Sequence, residues 1–176
     1  NDLNAGIPQR IYRTTDFADM SKSPVPDYHL LSINDYASMN LQVTRGCPYS
    51  CDFCEITSLL GNKVRMKDPQ QVTAELEALF RLNWRGMVSI VDDNFIGNKK
   101  ESKNSLLPVM KKWMHNHNYP FAFNAQTSIN LADDKELLAM MVETGFRSTF
   151  IGIETPSKLS LQACNKVQNK NRDLLL

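Results

Sequence analysis

Four short apolar runs set the terms on which this chain can fold: LQVT (41–44), MVSIV (87–91), FAFNA (121–125) and STFIGI (148–153). Each is rich in strand-favouring residues, and the stretches between them space their apolar positions as helices do. Strands that alternate with helices call for parallel pairing through right-handed crossovers, hence an α/β fold. Four strands do not close a barrel, so the expected product is a parallel sheet with an edge left open. No strand-like run follows residue 170, and the chain opens on Asn1, so it reads as a piece of something longer.

The intervening segments carry start and stop signals. Asp68 precedes Pro69, and Gln71 follows three residues after the aspartate, an N-cap with proline at the first helical position. The helix opened there sets Val72, Leu76, Leu79 and Phe80 on one side and leaves Glu75 and Arg81 to face water. A second helix is expected from Asn104 to His117, with Leu106, Met110, Trp113 and Met114 inward and His115 and His117 at the surface. A third opens at Asp133 with Glu136 as its capping-box partner and stops at Gly145. Thr155-Pro156 opens a fourth that runs toward Gln168, with Cys164 in its middle as a small core residue. Residues 1–38 differ in kind. They have weak periodicity and carry Pro8, Pro24 and Pro26, the composition of an irregular linker arm, which puts the core at 39–176.

With 176 residues, 42% of them hydrophobic, the chain can bury one sizeable core. A net charge of +1 gives no basis for a nucleic-acid partner, and the Lys99-Lys100 and Lys111-Lys112 pairs read as solvated faces. No apolar run approaches the ~18 residues a membrane helix needs. The four cysteines are clustered rather than spread as a disulfide framework, which suits a reducing cytoplasm.

Three of them, Cys47, Cys51 and Cys54, fall within eight positions in TRGCPYSCDFCEIT (44–57). They follow the first strand directly, in the first βα loop, where such folds place their chemistry. Thiolates are soft ligands for zinc or iron–sulfur clusters. A structural zinc needs a fourth ligand, for which His29, His115, His117 and Cys164 are the candidates. An electron-transfer ferredoxin wants four nearby cysteines. A cubane held by three thiolates instead leaves one iron open to a ligand from solution. Without metal three thiolates repel one another, so the loop is expected to depend on its metal for convergence.

The spacing C-x-x-x-C-x-aromatic-C, with Phe53 in the aromatic slot, resembles the motif of the radical S-adenosylmethionine (SAM) superfamily. The resemblance implies a partial barrel of that type and a [4Fe–4S] cluster on Cys47, Cys51 and Cys54, with Phe53 beside the cofactor. It implies that the open iron takes the amino and carboxylate groups of SAM. An electron from a flavodoxin- or ferredoxin-type donor then cleaves the sulfonium to a 5′-deoxyadenosyl radical, which abstracts hydrogen from a small-molecule substrate. Further SAM contacts are implied at the other strand ends. Asp92, Asp93 and Asn94 in VDDNF are candidates for its amino group, because carboxylate and amide oxygens accept from an amine; otherwise they turn a loop. Gln126 and Ser128 in NAQTS follow the third strand. Glu154 in IGIETP is placed to accept from ribose hydroxyls or bind substrate, or else to cap its own helix.

The wording at 45–54, VDDNFIGN (91–98) and GIETPS (152–157) is similar to the cobalamin-binding members of that superfamily, the hopanoid-methylase-like group. SPVPDYHLL (23–31) looks like the linker that follows their cobalamin domain. This narrower resemblance implies methyl transfer from methylcobalamin to an unactivated carbon, with lipid-like molecules among the substrates. Two other classes stay open: a radical SAM enzyme acting on RNA, of methylthiotransferase type, and a non-catalytic zinc-stabilised module.

Overall fold

The alternation in sequence becomes alternation in space. The computed structural model describes residues 2–169. In chain order the elements are β1 (Ser38–Leu41), β2 (Thr44–Arg45), α1 (Ile56–Leu60), β3 (Arg65–Met66), α2 (Pro69–Arg81), β4 (Gly86–Ile90) and α3 (Lys99–Glu101). There follow α4 (Leu107–Asn116), β5 (Phe121–Thr127), α5 (Lys135–Thr144), β6 (Phe146–Ile151) and α6 (Lys158–Ala163). Strands β1, β4, β5 and β6 pair in that order, all parallel, as the crossovers require. The expectation about residues beyond 170 lies outside the described residues.

The two-residue period of a strand sorts the sheet's faces. Met39, Leu41, Val88, Ile90, Phe121, Phe123 and Phe146 are buried beneath the helices. The opposite face carries Asn40, Ser89, Asn124 and Ser148 in one register row. Phe123 and Phe95 both pack on Phe146, with ring centroids 5.3 and 5.0 Å away. Helix-side apolar packing therefore fixes which polar side chains reach the C-terminal rim of the sheet.

Several local expectations need correcting. The run at 41–44 is not one strand: β1 ends at Leu41, and Thr44-Arg45 pair antiparallel with Arg65-Met66 in a separate two-stranded sheet. Glu75 does not face water. It is 1% exposed and ion-paired with Lys67, itself buried, because α2 turns positions 72, 75, 76 and 79 to the same side. The second helical stretch begins earlier, at Lys99 with Asn98 as cap, and passes through a π turn at Ser102–Leu106. Pro108 explains the turn, since it cannot donate into a regular α ladder. Helix α5 is capped by Asp134, not Asp133; Glu136 pairs with Lys103 instead of closing a box. Helix α6 is capped by Ser157, not by Thr155-Pro156, and stops at Ala163, so Cys164 is its C-cap and not mid-helix. His117 is half-buried, stacked on Trp113 at 4.1 Å with its Nε2 3.2 Å from Glu77.

The arm is tied to the core at defined points. Met20 is 3% exposed, and the Gln71 amide reaches the carbonyls of Met20, Ser21 and Ser23 at 3.2, 2.9 and 3.1 Å. Arg65 donates to the Ala18 carbonyl at 3.1 Å and lies 4.5 Å over the Phe17 ring. Met20→Ala is expected to lower unfolding stability by roughly 2 kcal/mol or more, the usual cost of emptying a buried methionine site, as read by urea titration. An arm that only tethers would show no change.

Candidate functional site

The site is assembled where β1 breaks. Asp92, the second residue past β4, is 1% exposed, and its Oδ1 accepts from the Val43 N–H at 2.7 Å. Its Oδ2 accepts from the Thr44 hydroxyl at 2.8 Å. These bonds draw the chain out of the sheet after Leu41 and aim the next loop over the rim. Burial pushes the Asp92 carboxyl up to about 6, against the opposing pull of its two donors. Asp92 is thus occupied in holding the loop, and it does not line the cavity at the rim.

The cysteine loop continues from Gly46. Its φ is +93°, and a Cβ there would lie 2.7 Å from the Lys63 carbonyl oxygen and 2.9 Å from that of Gly61. Only glycine meets both demands. The Gly46 N–H approaches Asp93 Oδ2 at 3.4 Å, and the Cys47 N–H donates to the Gly61 carbonyl at 3.3 Å. One turn later the Cys54 N–H donates to the Cys51 carbonyl at 3.0 Å. The ring of Phe17 packs on Gly61, so the arm buttresses the residue that anchors Cys47.

From the other side, the segment after α6 clasps the loop. The Cys164 carbonyl accepts from the Asp52 N–H at 3.1 Å, and Asn165 Nδ2 donates to the Ser50 carbonyl at 2.8 Å. Gln168 Nε2 lies 3.6 Å from the Cys51 sulfur. Lys166, 7% exposed, sits 5.4 Å over the Phe53 ring and 2.6 Å from Glu154 Oε1. Glu154 has φ +65°, a left-handed backbone that costs a non-glycine residue on the order of 1 kcal/mol. The turn this allows directs its carboxylate across the rim to Lys166.

One half-open cavity results. All three clustered cysteines line it, together with Phe53, Asp93, Asn94, Gln126, Ser128 and Glu154. Of the residues read as cluster or SAM contacts, Asp92 alone stands apart; the candidate fourth zinc ligands His29, His115, His117 and Cys164 are not in the wall either. Sequence reasoning missed Tyr49, Lys166 and Gln168 in the wall. Tyr49 was available in the CPYSC wording, whereas the other two carry no local signal, because they arrive from a turn more than a hundred positions away.

The donor set fits an iron–sulfur cluster. Burial pushes the Cys47 thiol up, with the Cys54, Cys51 and Asp93 charges acting in the same direction, so these groups lie close enough to feel one another. Yet among the described residues no three cysteine, histidine or carboxylate side chains converge on the spacing of a single ion. A lone zinc at ~2.3 Å from each sulfur demands that convergence, whereas a cubane gives each thiolate its own iron. The wall also holds buried acceptors with no partner among the described residues: Thr127 Oγ1, Gln168 Oε1 and Asn169 Oδ1. Buried polar atoms of this kind are rarely left unpaired, and all three belong to residues of the cavity wall.

Residues 41–175 match the family described as the Radical SAM superfamily. An uncharacterized methyltransferase of Synechocystis sp., sll1242, is 46% identical over 172 residues, which are 98% of this chain and 32% of that protein. The hopanoid C-2 methylase of Rhodopseudomonas palustris is 37% identical over 169 residues, 96% of this chain and 32% of the methylase. The chain thus spans about a third of the length of these relatives. Among solved structures, the cobalamin-dependent SAM radical enzyme OxsB, with aqua-cobalamin and SAM bound, superposes with a TM-score of 0.72 at 18% identity, over 90% of this chain and 25% of OxsB. The radical SAM methyltransferase TsrM from Kitasatospora setae, with tryptophan and a SAM analogue, gives 0.63 at 19% identity, over 71% and 23%. At these identities the likeness is one of fold.

Proposed function

The chain belongs to the radical SAM superfamily, and on that premise we propose that it forms the cluster- and SAM-binding part of a cobalamin-dependent methyltransferase. The observation that carries the reading is the meeting of Cys47, Cys51 and Cys54 with the Asn94, Ser128 and Glu154 strand ends around one cavity. Cys47, Cys51 and Cys54 would hold a [4Fe–4S] cluster. The chemistry supplied by a bound cluster is one-electron reduction of the SAM sulfonium, which yields a 5′-deoxyadenosyl radical.

The chain's own residues orient the reactants. Asp93 and Asn94 offer oxygen acceptors to the SAM amino group, while Asp92 holds the loop that carries the ligands. Glu154 accepts from ribose hydroxyls. Lys166, fixed over Phe53 and paired with Glu154, supplies a cation toward the SAM carboxylate. The Phe53 ring, packed under Lys166, covers that side from water. Gln126 and Ser128 close the rim from β5.

The methyltransferase part rests on the two methyl-transferring relatives and on the OxsB and TsrM folds. The substrate would be a small molecule with an unactivated carbon, a lipid-like one in keeping with the hopanoid C-2 methylase. A flavodoxin- or ferredoxin-type donor would supply the electron in a reducing cytoplasm. No helix among the described residues is long and apolar enough to cross a membrane. The test is anaerobic incubation of the reconstituted full polypeptide with SAM and dithionite. Formation of 5′-deoxyadenosine is the expected result. Iron uptake with no nucleoside product would contradict the reading.

A further inference from the structure

The rim carries a hydrogen-bond chain whose direction can be worked out atom by atom. The Ser128 backbone N–H faces Asn94 Oδ1 at 3.2 Å, and a backbone N–H can only donate, so that amide atom is the oxygen. Asn94 therefore presents Nδ2 to Ser128 Oγ, also at 3.2 Å. The hydroxyl accepts there and sends its own hydrogen to Asn130 Oδ1 at 2.7 Å; its other acceptor, Asn94 Oδ1, is farther away at 3.5 Å. Asn130 then offers Nδ2 to the Tyr49 hydroxyl oxygen at 2.7 Å. The Asn130 carbonyl is itself held by Lys99 Nζ at 2.7 Å.

Tyr49 stands between Cys47 and Cys51 in the sequence and lines the same cavity as those two cysteines. A second contact reinforces the tie. A Cβ placed on Gly97 would lie 3.3 Å from Pro48 Cδ, so the first cysteine turn abuts the loop after β4 directly. On the cluster reading given above, we infer that Tyr49 is a positioning residue for the Cys47 ligand. It is held by a one-way hydrogen-bond chain that starts at the Ser128 backbone and runs through Asn94, the Ser128 hydroxyl and Asn130. Cutting the chain frees the Tyr49 ring and loosens the turn that sets Cys47 and Cys51 against the cavity.

The test uses Tyr49→Phe, Asn130→Leu and the double variant in the full polypeptide, reconstituted with iron and sulfide. All three should load iron as the parent does. Both single variants should show a shifted cluster midpoint potential and release iron to a chelator about fivefold faster, the factor carried by one net hydrogen bond. The double variant should match either single one, because both cut the same link. A Tyr49→Phe protein with the parent's potential and release rate would overturn the inference, as would a double variant whose effects multiply. In the metal-free protein, hydrogen exchange over residues 46–54 should quicken equally in both single variants, and unchanged exchange would overturn the inference there. Failure of the parent to take up iron is a separate result. It strikes the cluster reading and leaves the exchange measurement to decide the chain.

Discussion

Cys51→Ala is expected to leave the reconstituted protein without a stable cubane, while Cys164→Ala leaves its iron and acid-labile sulfide unchanged. The two cysteines differ in placement. Cys51 is buried in the middle of the ligand loop with its sulfur on the cavity wall, where Gln168 Nε2 approaches it. Cys164 is the C-cap of α6, with its sulfur turned 3.7 Å from the Leu161 carbonyl; it serves the loop through its backbone, by accepting from Asp52. With three thiolates available, losing one leaves two irons without protein ligands, so the effect should be near total and not graded. The measurement is iron and sulfide per chain after reconstitution, beside the visible spectrum. Equal loss from both variants would instead make Cys164 a fourth ligand and revive a closed site.

The second large effect is expected at Asp92. Asp92→Ala removes the acceptors for a buried backbone N–H and a buried hydroxyl together, which should cost roughly 2–4 kcal/mol of unfolding stability. Iron loading should fall with it, because the bonds lost are the ones that steer the chain from β1 into the cysteine loop. Asp92→Asn keeps an acceptor for Val43 and should be far milder. It also isolates a pH effect. Burial holds the folded carboxyl at about 6, above its ordinary 3.8, so between those values the folded protein binds more protons than the unfolded chain. Its contribution to stability is therefore fully present at pH values below ~4 and is lost as pH rises through 6. Thermal unfolding from pH 4.5 to 7.5 should show the parent losing stability relative to Asp92→Asn as pH rises. A parallel pair of curves would mean that Asp92 titrates normally and is not buried as described.

These two positions also show what the sequence reveals and what it hides. The cysteine set was legible because its spacing is local: the eight-residue stretch from Cys47 to Cys54 forms one loop, and that loop follows an apolar run. Three of the four parallel strands were legible for the same reason, each carrying its own period, whereas the first was read at 41–44 and lies at Ser38–Leu41. Asp92 and Asp93 are neighbours with the same side chain, and their roles diverge at the strand exit. One turns under the loop to Val43 and Thr44, and the other turns up to Gly46 and the cavity. Local pattern cannot separate them. Glu75 was read as facing water and is buried: the helical period puts it beside Val72, Leu76 and Leu79, and what was hidden was Lys67, the partner that makes a buried carboxylate tolerable. Lys166 lay furthest from reach. It meets Glu154 and Phe53 only because α6 is short and the chain turns back over the cysteine loop.

On the cluster reading, the loop is expected to depend on its metal. Burial and the neighbouring charges of Cys54, Cys51 and Asp93 all raise the Cys47 thiol, so the ligand set is electrostatically unfavourable when ionised and empty. A cationic cluster offsets this, and the clasp from residues 164–169 and the arm's Phe17 hold the frame in which it binds. Low-temperature EPR of the anaerobically reconstituted, reduced full polypeptide, recorded with and without SAM, tests this account most directly. The account predicts a reduced cubane signal whose g-values shift when SAM is added, the mark of an open iron taking a ligand. A chain that binds one zinc and no iron, or a cubane signal indifferent to SAM, would contradict it.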